Sequence, residues 1–317
     1  MPKVTKIKGT NGDDPFDIEV GSGRISYDGL KGFDVVTIDG LYENYDVSAK
    51  GTGNLKVSVI GLLNDDSFDF KKVEQIVFDG GTETTADDVI YDTALEMATS
   101  FDQDVTPDFF NGSGNDNGAF TLAQTSGGLE LGLRGKIRFN ESGLPENTFN
   151  SNGDGTYTFE AGLFGPNEAQ WAFEWSINTD YDDSSGKKLN DYSYLLELDG
   201  DPTDGTDFQS WDPINVPSAD HTIGDNTSTD GFNEFKAVDE ADYANLIDTY
   251  NVAQQSWRYG FFDGIPGTAL ENFDPTATGT YTIRLSAYED TNSNGEIDPL
   301  ELVGVVSIDI LVESGMA

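Results

Sequence analysis

The chain has 317 residues, 36% hydrophobic and 12% aromatic, which is enough for two domains with real cores and excludes a disordered polymer. Seventeen basic residues against 58 acidic ones leave a formal charge of −41, a surface that repels nucleic acid and anionic lipid and attracts cations. The absence of cysteine excludes disulfides and thiolate metal sites, and a single histidine, His221, removes most zinc and triad chemistry.

Self-repulsion of this size weakens a compact state unless it is screened, so the composition suits high salt, bound divalent ions or both. The plainer reading is that acidity only keeps an extracellular or halophilic protein soluble. The N-terminus, MPKVTKIKGTNGDD, has charge but no apolar stretch of signal-peptide type, and no segment approaches the roughly 18 apolar residues of a membrane span.

Beyond this start, Val36 and Ile38, then Tyr45 and Val47, then Leu55, Val57 and Val59 predict three short strands, the last two joined by a glycine turn over Gly51 to Asn54. Val73, Ile76 and Phe78 supply a fourth apolar run. The segments GTNGDDPFDI (Gly9 to Ile18), GLKGFDVVTIDGLYENYDVSAKGTGNLKVSV and FKKVEQIVFDGGT together resemble the RTX, or hemolysin-type calcium-binding, class of secreted bacterial proteins. That resemblance covers about 75 residues and implies stacked glycine-aspartate turns holding calcium, with Asp13, Asp14 and Asp17 as candidate ligands. Only one such turn stands in the sequence, without a nine-residue tandem repeat, and the residues by themselves give a small β-module that needs no calcium.

Two stretches tempt a helical reading, Ala86 to Ser100 and Asp239 to Gln255. The second opens on a capping Asp and carries Tyr243, Leu246, Ile247 and Tyr250 at helical spacing. Between residues 97 and 118 a proline, glycines and sparse apolar positions predict a linker. The expected organisation is a small RTX-like module over 1–96, a linker over 97–118 and a β-sandwich over 119–317. Residues 1–96 carry 9 of the 17 basic and 19 of the 58 acidic residues, net −10, which leaves −31 for the rest.

Period-two alternation marks the strands of the larger part: Leu129, Leu131, Leu133, Ile137 and Phe139; Trp171, Phe173, Trp175 and Ile177; Tyr192, Tyr194, Leu196 and Leu198; Val306, Ile308, Ile310 and Val312. Glu, Arg, Ser and Asp fill the alternate positions, the pattern of half-buried antiparallel strands with one solvated face. The expected fold is all-β, a small N-terminal module plus a larger, jelly-roll-like antiparallel β-sandwich with one or two short helices.

Residues 290–301 read DTNSNGEIDPLE and match a twelve-residue EF-hand calcium loop. Asp290, Asn292 and Asn294 offer side-chain oxygens at positions 1, 3 and 5, and Gly295 allows the sharp turn at position 6. Glu296 offers its backbone carbonyl, Ile297 packs inward, Asp298 ligates directly or through water, and Glu301 is the bidentate carboxylate. Tyr281, Ile283, Leu285 and Ala287 alternate before the loop and a strand pattern follows it, so the loop is expected to close a β-hairpin. In the form Y-E-D-T-N-x-N-G it resembles loops of bacterial surface-protein repeat domains, which implies that Ca2+ stiffens a β-sandwich. A weaker echo at Asn150, Asn152, Asp154 and Gly155 lacks a carboxylate at its twelfth position, Ala161, and reads more readily as a hairpin turn.

Trp171, Phe173 and Trp175, with Trp211 and Trp257, fit either core packing or a sugar-stacking platform, the core being the ordinary use of aromatics on one strand face. The run from Trp171 through NTDYDDSSGKKLNDYSYLLELDGDP to NVAQQSWRYGFF is similar to an uncharacterised domain of bacterial exported proteins that carry sorting tails. No hydrophobic tail follows, so membrane anchoring is not expected. His221, in SADHTIGDN, reads as a solvent-facing or turn-bonding loop residue. No phosphate-binding glycine motif or basic patch is present.

The leading expectation is a non-enzymatic structural or adhesive protein of an extracellular, cell or particle surface, stabilised by calcium and partnered by copies of itself or a surface polymer. Type I secretion fits an RTX-like start without a signal peptide. The alternatives are a virion decoration or fibre protein, a calcium-dependent carbohydrate-binding module that takes a glycan, and, third, a glycan-degrading enzyme using two facing carboxylates.

Overall fold

The computed structural model describes residues 4–10, 15–19, 22–28, 35–38, 45–49, 56–61, 67–71, 75–78, 83–85, 99–112, 114–139, 142–163, 169–203, 205–215, 221–259, 268–271, 273–274, 276–290 and 301–314. The chain divides into two compact units, residues 1–97 with 296–302, and residues 98–295 with 303–317.

The first unit contains β1 (Thr5–Lys8), β2 (Pro15–Ile18), β3 (Arg24–Asp28), β4 (Val35–Ile38), β5 (Tyr45–Ala49), β6 (Lys56–Gly61), β7 (Ser67–Lys71), β8 (Gln75–Phe78) and β9 (Glu83–Thr85). β1, β3 and β7 lie parallel in one sheet, with Thr5 beside Ile25 and Ile25 beside Phe68. β2, β4 and β8 lie parallel in another, with Phe16 beside Val36 and Val36 beside Ile76. The chain therefore winds, placing one strand in each sheet per circuit. Thr5 to Ile25 and Pro15 to Val35 are both steps of 20 residues, but Arg24 to Ser67 is a step of 43 because the hairpin β5–β6 is inserted before the third circuit. That hairpin extends the first sheet antiparallel, and β9 extends the second in the same sense.

Winding stacks like residues on like. Ile25 and Tyr27 lie beside Phe68 and Phe70, and Ile18 beside Ile38; all six are buried. Phe16 of one sheet stacks on Tyr27 of the other at 4.8 Å and 8°, so the two sheets face each other across a small apolar core. The expected strands around Val36, Val47, Val59 and Ile76 are β4, β5, β6 and β8. The residues read by themselves predict the strands but not their parallel winding, because a 20-residue circuit interrupted by a hairpin leaves no short tandem repeat in the sequence.

The second unit is an antiparallel sandwich. One sheet runs in the order β10 (Thr99–Gln103), β11 (Phe120–Gln124), β12 (Glu130–Phe139), β15 (Trp171–Asn178), β20 (Val252–Arg258), β18 (Thr222–Thr229) and β19 (Phe232–Phe235), with β13 (Pro145–Thr148) also on β12. The other runs β14 (Thr156–Glu160), β22 (Leu302–Glu313), β21 (Gly279–Tyr288), β16 (Ser193–Asp199) and β17 (Phe208–Trp211). Within it, β14 joins β22 in parallel. Leu131, Leu133, Trp171, Phe173, Trp175 and Ile177 from the first sheet meet Tyr194, Leu196, Tyr281, Ile283, Val306, Ile308 and Ile310 from the second, all buried. The sheets come so close at Gly135 that a Cβ there would stand 2.8 Å from Ile310 Cδ1 and Phe159 Cε2.

Helix α1 (Glu240–Thr249) starts where expected, with the Asp239 carboxylate accepting from the Asp242 amide at 2.9 Å. It ends before Gln255, because Val252–Arg258 forms β20 and pairs with β15 along seven residues. Of the other proposed helix, residues 86–98 lie outside the described residues, and Thr99 and Ser100 begin β10.

The linker expected over 97–118 is corrected by the fold. Ser100 of β10 pairs with Leu122 of β11, and Val105, Phe109, Phe110 and Asn111 are buried. These residues belong to the sandwich because their apolar and amide side chains close over the polar face of its larger sheet.

Candidate functional site

The loop 290–301 connects two strands that are neighbours in one sheet, β21 and β22. Thr282 Oγ1 donates to Asp309 Oδ1 at 2.8 Å, and Ser307 Oγ donates to the Ile283 carbonyl at 3.3 Å, so contacts advance along one strand as they recede along the other. Asp290 follows the end of β21 and is exposed; Glu301 directly precedes β22 and is 6% exposed. Asn292, Asn294, Glu296 and Asp298 lie outside the described residues. Among the described residues, no group of three or more His, Cys, Asp or Glu side chains is arranged to hold a metal. In the first unit, Asp13 and Asp14 also lie outside the described residues, while Asp17 is exposed on β2.

The echo at Asn150 to Gly155 is a hairpin turn. Asp154 Oδ1 accepts from both the amide and the hydroxyl of Thr156, at 3.0 and 2.7 Å, and the Asn150 side chain donates to the Thr158 carbonyl at 3.0 Å. Gly153 and Gly155 take φ of 81° and 89°, the left-handed values that glycine adopts without strain.

The most heavily built polar site escaped sequence reasoning. On β12, Arg134 and Lys136 alternate with core residues and read as a solvated face, yet both are enclosed, with Glu174 of β15 between them at 0% exposure. Arg134 Nε donates to Glu174 Oε2 at 2.7 Å, Lys136 Nζ lies 3.2 Å from Oε1, and Arg134 Nη1 donates to the Gly118 carbonyl at 2.6 Å. The Arg134 guanidinium lies 4.1 Å from the ring centroids of both Phe120 and Phe149, and Lys136 Nζ donates to Asn115 Oδ1. Burial alone would raise the Glu174 carboxyl, but the two cations outweigh it and hold the group below its ordinary value. Burial lowers the Lys136 ammonium, an effect that Glu174 opposes in part.

Amides fasten the cover around this cluster. Phe110 N donates to Gln254 Oε1 at 2.7 Å, Asn111 Nδ2 to Gln255 Oε1 at 2.7 Å, and Thr106 N to Glu130 Oε1 at 2.7 Å. Burial raises the Glu130 carboxyl, against the lowering effect of Thr106 and Gln124. One signal could have exposed the site: Arg134, Lys136 and Glu174 on two strands whose other faces are strongly apolar invite a charge pairing.

Trp171 and Trp175 are core residues, at 1% and 0% exposure, and cannot form a surface platform; Trp211 and Trp257 are half-buried, 6.2 Å apart at 45°. His221 is not solvent-facing. It is enclosed by Trp175, Trp257 and Tyr243 at 5.1, 5.6 and 6.1 Å, with Nε2 against the Pro213 carbonyl. It immediately precedes β18, whose first residues are buried in the sheet, and the neighbouring rings provide an apolar box.

No protein-family model matches the chain, and no curated protein matches it. Among the described residues, no helix is long and apolar enough to cross a membrane.

Proposed function

We propose that the chain is a non-enzymatic structural or adhesive protein of an extracellular or particle surface, in which Ca2+ held by the 290–301 loop stiffens the sandwich. The observation that carries this reading is the adjacency of β21 and β22, the two strands bordering a loop with the oxygen-ligand pattern of a calcium site. An ion there would tie the ends of two long, buried strands and stabilise the sheet they share. A charge of −41 favours the same ion and keeps copies apart until it is screened, which suits assembly governed by divalent cations. Partners in this reading are further copies of the chain or a surface polymer.

Calorimetric calcium titration of the full chain, alongside its molecular mass in solution with calcium and with chelator, tests both parts. Saturable binding that Asp290→Ala and Glu301→Gln each weaken at least tenfold, with calcium-dependent assembly, supports the proposal. Absence of binding removes the ion, and an unchanged monomer removes the assembly.

A further inference from the structure

Lys136 points from the polar face of β12 into the cover formed by residues 104–112 and 114–118. There its amine meets the carboxamide of Asn115, and the Glu174 carboxylate stands 3.2 Å from the same nitrogen. Lys136 is 1% exposed and Glu174 0%, the Phe149 ring lies 6.0 Å from Nζ, and Asn115 is half-buried. Asn115 Nδ2 donates to the Asn111 and Gly112 carbonyls, leaving its oxygen toward the lysine. A buried primary amine and a buried carboxylate, with the half-buried primary amide of Asn115 against the amine, are the two reactants and the base of a transamidation.

We propose that Lys136 and Asn115 are joined by an isopeptide bond that the chain forms itself, with Glu174 as the catalytic proton carrier. Glu174 takes a proton from the Lys136 ammonium, and the freed lone pair attacks Asn115 Cγ. As the tetrahedral carbon collapses, Glu174 passes that proton to Nδ2, which departs as ammonia with the electron pair of the Cγ–Nδ2 bond. The extra proton left on Nζ returns to Glu174 and leaves with the ammonia as ammonium. One C–N bond forms and one breaks; nothing is oxidised or reduced, and no co-reactant is needed. Burial that lowers the Lys136 ammonium brings the neutral nucleophile closer, and Arg134 keeps Glu174 ionised to receive the proton. The product ties the covering segment covalently to the central sheet. The inference does not depend on calcium.

Intact-mass spectrometry of the denatured full chain is the test, followed by tryptic peptide sequencing. The expected mass is one ammonia below that of the sequence, with a branched peptide joining Asn115 to Lys136 and no cleavage after Lys136. Lys136→Arg, which keeps a cation facing Glu174, and Asn115→Ala, in the covering segment, should each restore the full sequence mass in a folded chain by near-UV circular dichroism. Glu174→Gln should restore it too; since that change strands the Arg134 charge and can unfold the chain, the first two variants decide. A wild-type chain at its full sequence mass overturns the proposal. So does an ammonia loss confined to the Asn115 peptide with Lys136 open to trypsin, which would be a succinimide.

Discussion

Arg134 Nη2 stands 2.5 Å from Glu174 Oε2 in a place where neither side chain reaches solvent. Two ions taken out of water hold a native structure only as a matched set, so the pair is costly to break and cheap to replace whole. In an Asn115→Ala background, where Lys136 keeps its charge, Arg134→Met should cost about 3–5 kcal/mol in urea unfolding, since it leaves Glu174 with one cation and removes the guanidinium from Phe120 and Phe149. The triple variant Arg134→Met, Lys136→Met, Glu174→Leu should recover most of that loss. A triple variant no better than the single one would place the cost in packing instead of charge.

The same pair sets an acid limb. Glu174 is held below its ordinary value despite burial, so its stabilising contribution is present above the unfolded carboxylate pKa and is lost as pH falls through the folded one. Without Arg134, only Lys136 opposes the raising effect of burial, so protonating Glu174 costs the fold less than it does in the wild type. The stability gap between wild type and Arg134→Met should therefore narrow as pH is lowered from 7 to about 4, near the reference glutamate value. A gap that is constant over this range would mean that Glu174 does not change its protonation between the two chains.

Gly135 makes a sharper test of the sandwich. An alanine Cβ at 2.8 Å from Ile310 Cδ1 and Phe159 Cε2, and 3.0 Å from Tyr157 Cβ, forces the sheets apart or their side chains off rotamer. Gly135→Ala should lower stability by about 1–3 kcal/mol. Gly127→Ala, where the nearest atom is Thr125 Oγ1 at 3.7 Å, should stay within about 0.5 kcal/mol of wild type. Equal effects at the two positions would contradict the close approach.

The sandwich strands were legible because Leu131 and Leu133, Trp171 to Ile177, Tyr194 to Leu198 and Ile283 to Ala287 alternate strongly, and alternation is a local property. Which residues lie on the other face is not local. Arg134, Lys136 and Glu174 look solvated until the segment carrying Phe109, Asn111 and Asn115 is known to fold over them, and that segment is so rich in Gly, Asn and Asp that it reads as a linker. The first unit hides its winding for a related reason: Ile25 and Phe68 are neighbours only because a hairpin is looped out between them. The 290–301 loop, by contrast, was read from a ligand pattern within twelve consecutive residues, together with the strands that flank it.

Helix α1 has ten residues, so the cap of its first turn matters. Asp239 satisfies the Asp242 amide, while Tyr243, Leu246 and Ile247 bury one side. Asp239→Ala should cost about 1 kcal/mol, and Asp239→Asn or Asp239→Ser only a fraction of that. Thermal unfolding followed by circular dichroism separates these; equal losses from Ala and Ser would rule out capping as the cause.

Calcium and plain screening make different predictions for a chain of charge −41, and the difference decides whether the 290–301 loop is a site. A ligand bound only by the folded state, at a free concentration 100 times its Kd, adds about 2.7 kcal/mol. At roughly 2–4 °C per kcal/mol for a domain of 150–250 residues, the melting temperature should rise by about 5–10 °C over the chelator-treated chain. Magnesium, which demands a tighter octahedral shell and gives up its water reluctantly, should reproduce only a minor part of the rise. Sodium chloride at matched ionic strength screens the surface without filling the loop. Asp290→Ala and Glu301→Gln should therefore abolish the calcium increment while leaving the response to sodium chloride intact. If sodium chloride gives the whole rise, or both variants keep it, the acidity of the chain accounts for the effect and the loop does not.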